Sequence, residues 1–284
     1  MIANFIIMFR EALEAILVIS IVLGYLNKTG QIKYKKVVWW ATIAGITASI
    51  LGAILFNFIA GGFTGAAEEI FEGITMLIGA FLLTTMILWM FNKSHSRELQ
   101  EKIAKEISED HRLGIFMIIF VSILREGIES VIFLGAAGFV AVDFGWLGSI
   151  LGLVTAGILG LLLYKGSMKI NLKKFFNITS VLLIMFAAGL VAHGIHELQE
   201  ANVIPFLLYP VYDINVFLND KGDIGSILKG LFGYNGNPGL IEIISYWAYL
   251  AIISIVWIKK NKKVIEEKDG TSKREEVRIK KSIV

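Results

Sequence analysis

The 284-residue sequence contains no cysteine, only three prolines and few charged residues. Without cysteine the chain forms neither disulfides nor thiolate metal sites, so any bound metal must use oxygen or nitrogen ligands. Charged side chains make up 18% of the residues and hydrophobic ones 56%, which is too apolar for a soluble domain of this size. The composition therefore indicates a membrane protein.

The sequence is rich in long hydrophobic runs. Seven runs have the length that a helix needs to cross about 30 Å of hydrocarbon. They cover residues 2–26, 36–60, 70–91, 113–141, 145–166, 175–199 and 240–258. We therefore predict an all-α polytopic membrane protein with seven transmembrane helices, which form one transmembrane domain over residues 1–258.

Lysine and arginine residues concentrate in alternate loops, as they do in the cytoplasmic loops of membrane proteins. The loops after the first, third and fifth runs are basic, and so is the tail at 259–284. We therefore expect a multi-pass protein in the plasma membrane lipid bilayer, with the N-terminus outside and the tail in the cytoplasm. The net charge of +3 follows from this topology, so we infer no nucleic-acid partner.

Two loops have features of their own. The predicted outer loop at 200–239 contains all three prolines but also the apolar stretch PFLLYPVYDINVFL, so we expect part of it to pack against the membrane surface or cap the helices. The third loop places Leu99, Ile103 and Ile107 on one face, which predicts a short amphipathic helix. We expect His95 and His111 in that loop to be solvated.

Charged residues recur inside two of the apolar runs, as FREALEAILVI and LREGIESVIFL. These motifs begin the first and fourth runs, so the chain divides into two three-helix repeats, at 1–91 and 113–199, plus a seventh helix. An odd number of spans per repeat inverts the second repeat relative to the first, as in many secondary transporters. Both motifs then lie near the middle of the membrane.

Each motif carries one arginine and two glutamates on one side of its helix, because residues three or four apart share a face. The six residues are Arg10, Glu11 and Glu14 in the first motif and Arg125, Glu126 and Glu129 in the second. Six unpaired ionised groups at the bilayer centre would cost on the order of 15–21 kcal/mol. Pairing each arginine with one glutamate leaves two glutamates in surplus, and these must bind protons or a cation.

A polyvalent cation held by carboxylates from both helices would neutralise this surplus. Iron, manganese, magnesium and calcium are all compatible with oxygen ligands. Other interpretations of the charges stay open. The ion pairs could merely hold the helices together, the glutamates could carry protons in a proton-coupled cation exporter, or Glu and His could hold the metal centre of an intramembrane oxidoreductase.

Paired Arg-Glu-x-x-Glu motifs in the first and fourth spans of a seven-helix protein resemble those of the high-affinity iron permeases. That family includes fungal ferroxidase-coupled permeases and bacterial relatives. The resemblance covers residues 1–258 and includes EEIFEG at Glu68 and HGIHELQEA at His193. Ala12 stands where the family commonly has glycine and Ile128 where leucine is frequent, and both changes spare the charged positions.

The resemblance implies a permease, not an enzyme, that imports iron across the plasma membrane, with iron as Fe3+ or Fe2+ being its transported substrate. It also implies an extracytoplasmic iron-oxidising partner protein. Under this resemblance Glu11, Glu14, Glu126 and Glu129 are the translocation ligands, and Arg10 and Arg125 are their charge partners.

Two further polar groups lie at the predicted outer ends of the third and sixth spans. They are Glu68, Glu69 and Glu72 in the third and His193, His196, Glu197 and Glu200 in the sixth. Their spacing is compatible with metal ligands in one outer vestibule that collects iron before it descends. Acids at a helix start and polar groups at a membrane surface are also ordinary structural features, so both interpretations stay open.

Overall fold

Helices make up the regular structure of a computed structural model of the chain, which describes residues 1–90, 95–109, 111–140, 145–164, 172–220 and 222–259. In chain order they are α1 (Ile2–Lys28), α2 (Lys35–Ala60), α3 (Ala66–Met90), α4 (His95–Ser108), α5 (Arg112–Val140), α6 (Gly145–Tyr164), α7 (Leu172–Glu200), α8 (Asp223–Phe232) and α9 (Leu240–Lys259). A short 3-10 helix at Ile32–Tyr34 precedes α2. These ranges contain no strand, so the predicted all-α class is confirmed.

Within the described ranges, five segments are long and apolar enough to cross a membrane. They are Ile32–Ala60, Ala66–Leu88, Gly145–Leu162, Ile178–Glu200 and Leu240–Lys259. The helices α1 and α5, with 27 and 29 residues, are also long enough to cross a membrane. Their apolar sequence, however, is interrupted by the charged motifs. The charged residues, and not the helix length, therefore distinguish α1 and α5 from the five apolar segments.

Two apolar clusters show that α1 and α5 run antiparallel. The Phe133 cluster joins the start of α1, at Ile7, to the end of α5, at Phe133, together with residues of α3 and α7. The Ile119 cluster joins the end of α1, at Leu26, to the start of α5, at Ile119. The charged motifs of both helices consequently lie at one level, between the two clusters.

The other long helices pack around this central pair. α6 lies along α1, α2 lies along α5, and α3 lies along α7. The approach of α3 to α7 depends on glycine, because a Cβ on Gly73 would meet the Gly194 carbonyl oxygen at 2.8 Å. This close packing brings the first turns of α3 beside the last turns of α7.

The two short helices cover opposite ends of the α1 and α5 pair. α4 buries Leu99 and Ile103 in the Ile119 cluster, which confirms the predicted amphipathic helix. His111, just after it, is exposed as predicted and pairs with Glu109 at 3.2 Å. The side chain of His95 and the predicted cytoplasmic tail from residue 260 lie outside the described residues.

Helix α8, at the other end, was not predicted as an element. It forms within the loop at 200–239, and its Leu231 packs against the Phe133 cluster. It ends at Gly233, whose φ of +67° is favourable only for glycine. A Cβ on Gly189 of α7 would lie 2.5 Å from the Gly233 Cα, so α8 ends directly against α7.

Candidate functional site

The antiparallel packing of α1 and α5 brings three carboxylates together. One oxygen from each of Glu11, Glu126 and Glu129 lies within 4.8 Å of the others. Glu11 and Glu129 are buried and Glu126 is half-buried. Within the described part of the chain, this carboxylate triad is the one group of three acidic or imidazole side chains that is close enough to share a metal ion.

The triad is electrostatically incomplete. Both carboxylate oxygens of Glu11, and Oε2 of Glu126 and of Glu129, are buried without a hydrogen-bond partner among the described residues. Buried polar atoms are normally paired, and two ionised carboxylates 4.8 Å apart repel by about 3.5 kcal/mol at an effective dielectric constant of about 20. The arrangement therefore requires protons or a cation, and carboxylate oxygens are the ligands that hard divalent cations prefer.

Arg10 holds the fourth glutamate outside the triad. Its Nη2 lies 3.2 Å from Oε1 of Glu14, and its Nη1 lies 3.9 Å from Oε1 of Glu11. Nη1 also donates to the Met86 sulfur of α3 at 2.6 Å. The Arg10 side chain is completely buried, so the positive charge next to the triad is fixed within the core.

Arg125 occupies a different environment from Arg10. Its Nε lies 2.7 Å from Oε1 of Glu129, one helical turn away, as Arg10 lies one turn from Glu14. The Arg125 side chain is nevertheless 48% exposed, on the same face of α5 as exposed Val121 and Ile128. One oxygen of Glu129 therefore contacts Arg125, and the other, Oε2, has no hydrogen-bond partner among the described residues.

A polar cavity of about 510 Å3 lies at the end of α7 and beneath the loop at 200–239. All four polar residues that the sequence analysis selected in α7 line it, namely His193, His196, Glu197 and Glu200. Asp220, Asn235 and Lys229 line the opposite side. Met76 and Val140 belong both to the cavity wall and to the Phe133 cluster, so the floor of the cavity is apolar.

The acidic residues of α3 lie beside this cavity but do not line it. Glu68 is exposed, while Glu69 and Glu72 are partly buried. The charges of Glu69 and Glu72 act on Glu197 across the close contact between α3 and α7. The residues of α3 and α7 thus form one polar region, which is separate from the carboxylate triad.

The sequence has relatives with established names. The profile of the iron permease FTR1 family matches residues 1–261. The chain belongs to this family. The ferrous iron permease EfeU of Escherichia coli O6:K15:H31 (strain 536 / UPEC) is 34% identical over 265 residues, which cover 90% of this chain and 95% of that protein.

Proteins named ferrous iron permease EfeU from Shigella sonnei (strain Ss046) and Yersinia pestis are also 34% identical. Each alignment covers 88% of this chain, with 92% of the first protein and 90% of the second. No solved structure matches the chain. The resemblance noticed in the charged motifs is therefore confirmed, and this member of the iron permease family is a multi-pass membrane protein.

The permease has one buried acid that the sequence analysis missed. Glu242, in the first turn of α9, accepts a hydrogen bond from the Gly239 backbone at 2.7 Å and lies 2.9 Å from Nδ1 of His196. The available signal was that Glu242 is the single charged residue between positions 240 and 258. An acid near a helix start is an ordinary feature, so this signal is too weak to predict a buried site.

An apolar layer separates the two polar sites of the permease. Phe139 lines the cavity and lies ten residues beyond Glu129 on α5, which corresponds to about 15 Å along the helix. The Phe133 cluster fills the intervening length of α5. Along α5 the cavity and the triad are therefore separated by buried apolar side chains.

Proposed function

We propose that this permease carries ferrous iron across the membrane by binding it between α1 and α5 at the carboxylate triad. The observation that carries the proposal is that Glu11, Glu126 and Glu129 converge from two antiparallel helices at mid-length. The names of the relatives favour Fe2+ over Fe3+. Three converging carboxylates, two of them buried, are an adequate binding site for such an ion and a costly arrangement without one.

In this proposal α1 and α5 also cross the bilayer, which gives seven spans. Their charges are compatible with spanning because most of them face each other and not the lipid, as ionised residues within membranes do. The packing supports two inverted repeats, 1–91 and 113–199. In two such repeats α1 corresponds to α5, and α2 corresponds to α6. The contact of α1 with α6 then corresponds to the contact of α5 with α2, and both contacts are extensive.

The proposed path starts at the outer face. Iron is collected by His193, His196, Glu197 and Glu200 in the cavity, with Glu68, Glu69 and Glu72 attracting it from the adjacent start of α3. It loses water, passes the Phe133 cluster when the repeats rock apart, and binds the triad. It then leaves past the Ile119 cluster to the cytoplasm, where we place the C-terminal tail at 259–284.

The arginines limit repulsion when the triad is empty. Arg125 already contacts one oxygen of Glu129, and Arg10 contacts Glu14 and approaches Glu11. These contacts compensate part of the negative charge after the ion has left. An extracytoplasmic iron-oxidising partner remains a prediction of the family resemblance.

Purified permease in liposomes tests the proposal. We expect radioactive ferrous iron, kept reduced by ascorbate, to accumulate above the level of empty liposomes under a controlled pH gradient. An intramembrane oxidoreductase would turn over without iron accumulation, and a proton-coupled exporter would move protons in iron-free buffer. Manganese and calcium, added as competitors, measure the selectivity of the transport.

The Glu197→Gln variant tests the assignment of the cavity as the outer collection site. We expect the iron concentration for half-maximal uptake to rise about tenfold, equivalent to about 1.4 kcal/mol, because a charged ligand is lost. The maximal rate should change little, since the triad is untouched. Glu109→Gln, beside His111 at the opposite end of the bundle, is the matched control. An unchanged apparent affinity in Glu197→Gln would remove the cavity from the path.

A further inference from the structure

We propose that Glu242 is a positioning residue that fixes His196 as a nitrogen ligand in the outer cavity, and that this cavity selects iron over magnesium and calcium. The inference rests on the proposed function and extends it, since it assigns selectivity to a site other than the carboxylate triad. It gives a role to a buried acid that the transport path does not otherwise use.

Glu242 connects three separate segments at the cavity wall. Its side chain is 2% exposed, and its Oε1 lies 2.9 Å from Nδ1 of His196 on α7. The same oxygen accepts from the Gly239 backbone N–H at 2.7 Å, and Oε2 accepts from Nδ2 of Asn235 at 2.9 Å. Three contacts within the core hold this carboxylate in one orientation.

This geometry determines which nitrogen of His196 faces the cavity. A carboxylate only accepts hydrogen bonds, so Nδ1 donates its proton to Glu242, and a metal ion would bind at Nε2 in place of the proton that Nε2 can donate to Glu200. Nε2 points to Oε1 of Glu200 at 3.2 Å, on the side of the ring that faces away from Glu242. Metal-binding histidines are commonly oriented in this way, with the second ring nitrogen donating to a carboxylate.

Aromatic rings hold the plane of the same imidazole. The ring of His196 lies 5.9 Å from the ring of Tyr209 and 6.3 Å from that of Phe206, measured between centroids. Both rings come from the loop at 200–239, which covers the cavity. The imidazole is therefore restrained from the side of the loop as well as from the side of α9.

His193 supplies an independent observation that points to a ligand. It lies one helical turn before His196, is 5% exposed and lines the same cavity. Its Nε2 is buried and has no hydrogen-bond partner within the described ranges. Buried ring nitrogens are normally satisfied, so an unpaired one at a cavity wall indicates a group that binds there. His193 and His196 thus place two imidazoles on the cavity wall next to Glu197 and Glu200, and these side chains would have to move closer together to share one ion.

The chemistry of these ligands separates iron from the abundant alkaline-earth ions. Oxygen ligands such as the triad suit magnesium, calcium and manganese, whereas imidazole nitrogen suits iron and the later transition metals. The carboxylate triad by itself therefore discriminates weakly. A nitrogen site above the Phe133 cluster would reject magnesium and calcium before an ion enters the membrane interior.

The test compares uptake of radioactive ferrous iron by liposomes that contain wild-type permease or Glu242→Ala. We expect the KM for iron to rise by about 10–100-fold, as for the loss of other carboxylates that orient a ligating histidine, with an almost unchanged maximal rate. Magnesium and calcium should then inhibit at concentrations that leave the wild type unaffected. Glu242→Gln retains an oxygen acceptor for Nδ1, so its loss should be smaller.

Two controls separate positioning from a general loosening of α9. Tyr249→Phe removes the 2.6 Å hydrogen bond between Tyr249 and Thr84, which also holds α9 in place, and it should leave KM and competition unchanged. In a His196→Ala background, Glu242→Ala should have no additional effect, because Glu242 acts through the imidazole. An equal loss in Tyr249→Phe, additive losses in the double variant, or a fall in maximal rate alone would each overturn the proposal.

Direct binding separates this inference from the proposed transport function. Glu129→Gln protein, in which the triad is disabled, should still bind ferrous iron at the cavity, and adding Glu242→Ala should weaken that binding by at least about tenfold. If the wild type moves no iron but this binding difference is present, the transport proposal fails and the Glu242 assignment stands. If the binding difference is absent, the Glu242 assignment fails, whatever the flux.

Discussion

We expect iron uptake to fall to the level of empty liposomes when Glu11, Glu126 or Glu129 is replaced by glutamine. Each change removes one of three negative charges that lie within 4.8 Å of one another. Loss of a group that only orients a metal ligand typically lowers metal affinity or activity by about 10–100-fold. Loss of a ligand itself should therefore reduce the uptake rate by at least about a hundredfold. Glutamine preserves the side-chain volume, so the helices should still pack.

The matched control for this series is Glu14→Gln. Glu14 belongs to the same motif but pairs with Arg10 and lies outside the triad, so we expect its loss to reduce uptake by about tenfold or less. Uptake is measured with radioactive iron and normalised to the amount of protein in the liposomes. A reversed ranking, with Glu14→Gln inactive and Glu11→Gln active, would contradict the proposed ligand set.

The second large effect concerns stability and depends on the different environments of the two arginines. Arg10→Met should unfold at a much lower temperature than wild type, because it leaves Glu14 and Glu11 without their buried positive partner. Breaking a buried ion pair costs about 3–5 kcal/mol, which corresponds to about 6–20 °C in melting temperature. Thermal unfolding of the purified protein in detergent measures this difference.

Arg125→Met is the control for Arg10→Met. The Arg125 side chain is 48% exposed, whereas that of Arg10 is completely buried, so the Arg125–Glu129 ion pair is the less desolvated of the two pairs. We therefore expect a loss of about 1 kcal/mol or less. The double variant Arg10→Met/Glu14→Gln should regain much of the lost stability, since it removes an uncompensated charge. Equal melting temperatures for the two arginine variants would contradict this account.

Helix positions were predictable because the thickness of a membrane sets the length of an apolar helix. The bounds of the seven long helices differ from the predicted apolar runs by at most four residues. The two predicted inverted repeats would place both motifs at one level, and the antiparallel packing of α1 and α5 does bring the motifs together there. Both inferences concern only the position of a residue along the helix axis.

Features that depend on rotation about the helix axis were not predictable. The spacing of Glu11 and Glu14 places both on one side of α1, but only the packed structure shows that Glu11 joins the triad while Arg10 retains Glu14. The exposure of Arg125 has the same origin. A single amphipathic sequence does not reveal which neighbouring helix each part of its polar face meets.

Contacts between residues that are far apart in the sequence were also not predictable. Glu242 and His196 are 46 residues apart and meet because α9 begins beside the end of α7. Helix α8 was missed because its ten residues include glycine and lie within a loop that contains all three prolines. In both cases the deciding contacts come from tertiary packing, which no local pattern in the sequence represents.

The apolar clusters on either side of the triad also bear on the electrical behaviour of the membrane. Ile7 and Phe133 on one side, and Leu26 and Ile119 on the other, are almost completely buried. Apolar layers of this kind disfavour water between α1 and α5. In the proposed transport cycle, these layers would limit the leakage of protons and other ions past the triad, so the voltage and proton gradient of the cell would persist.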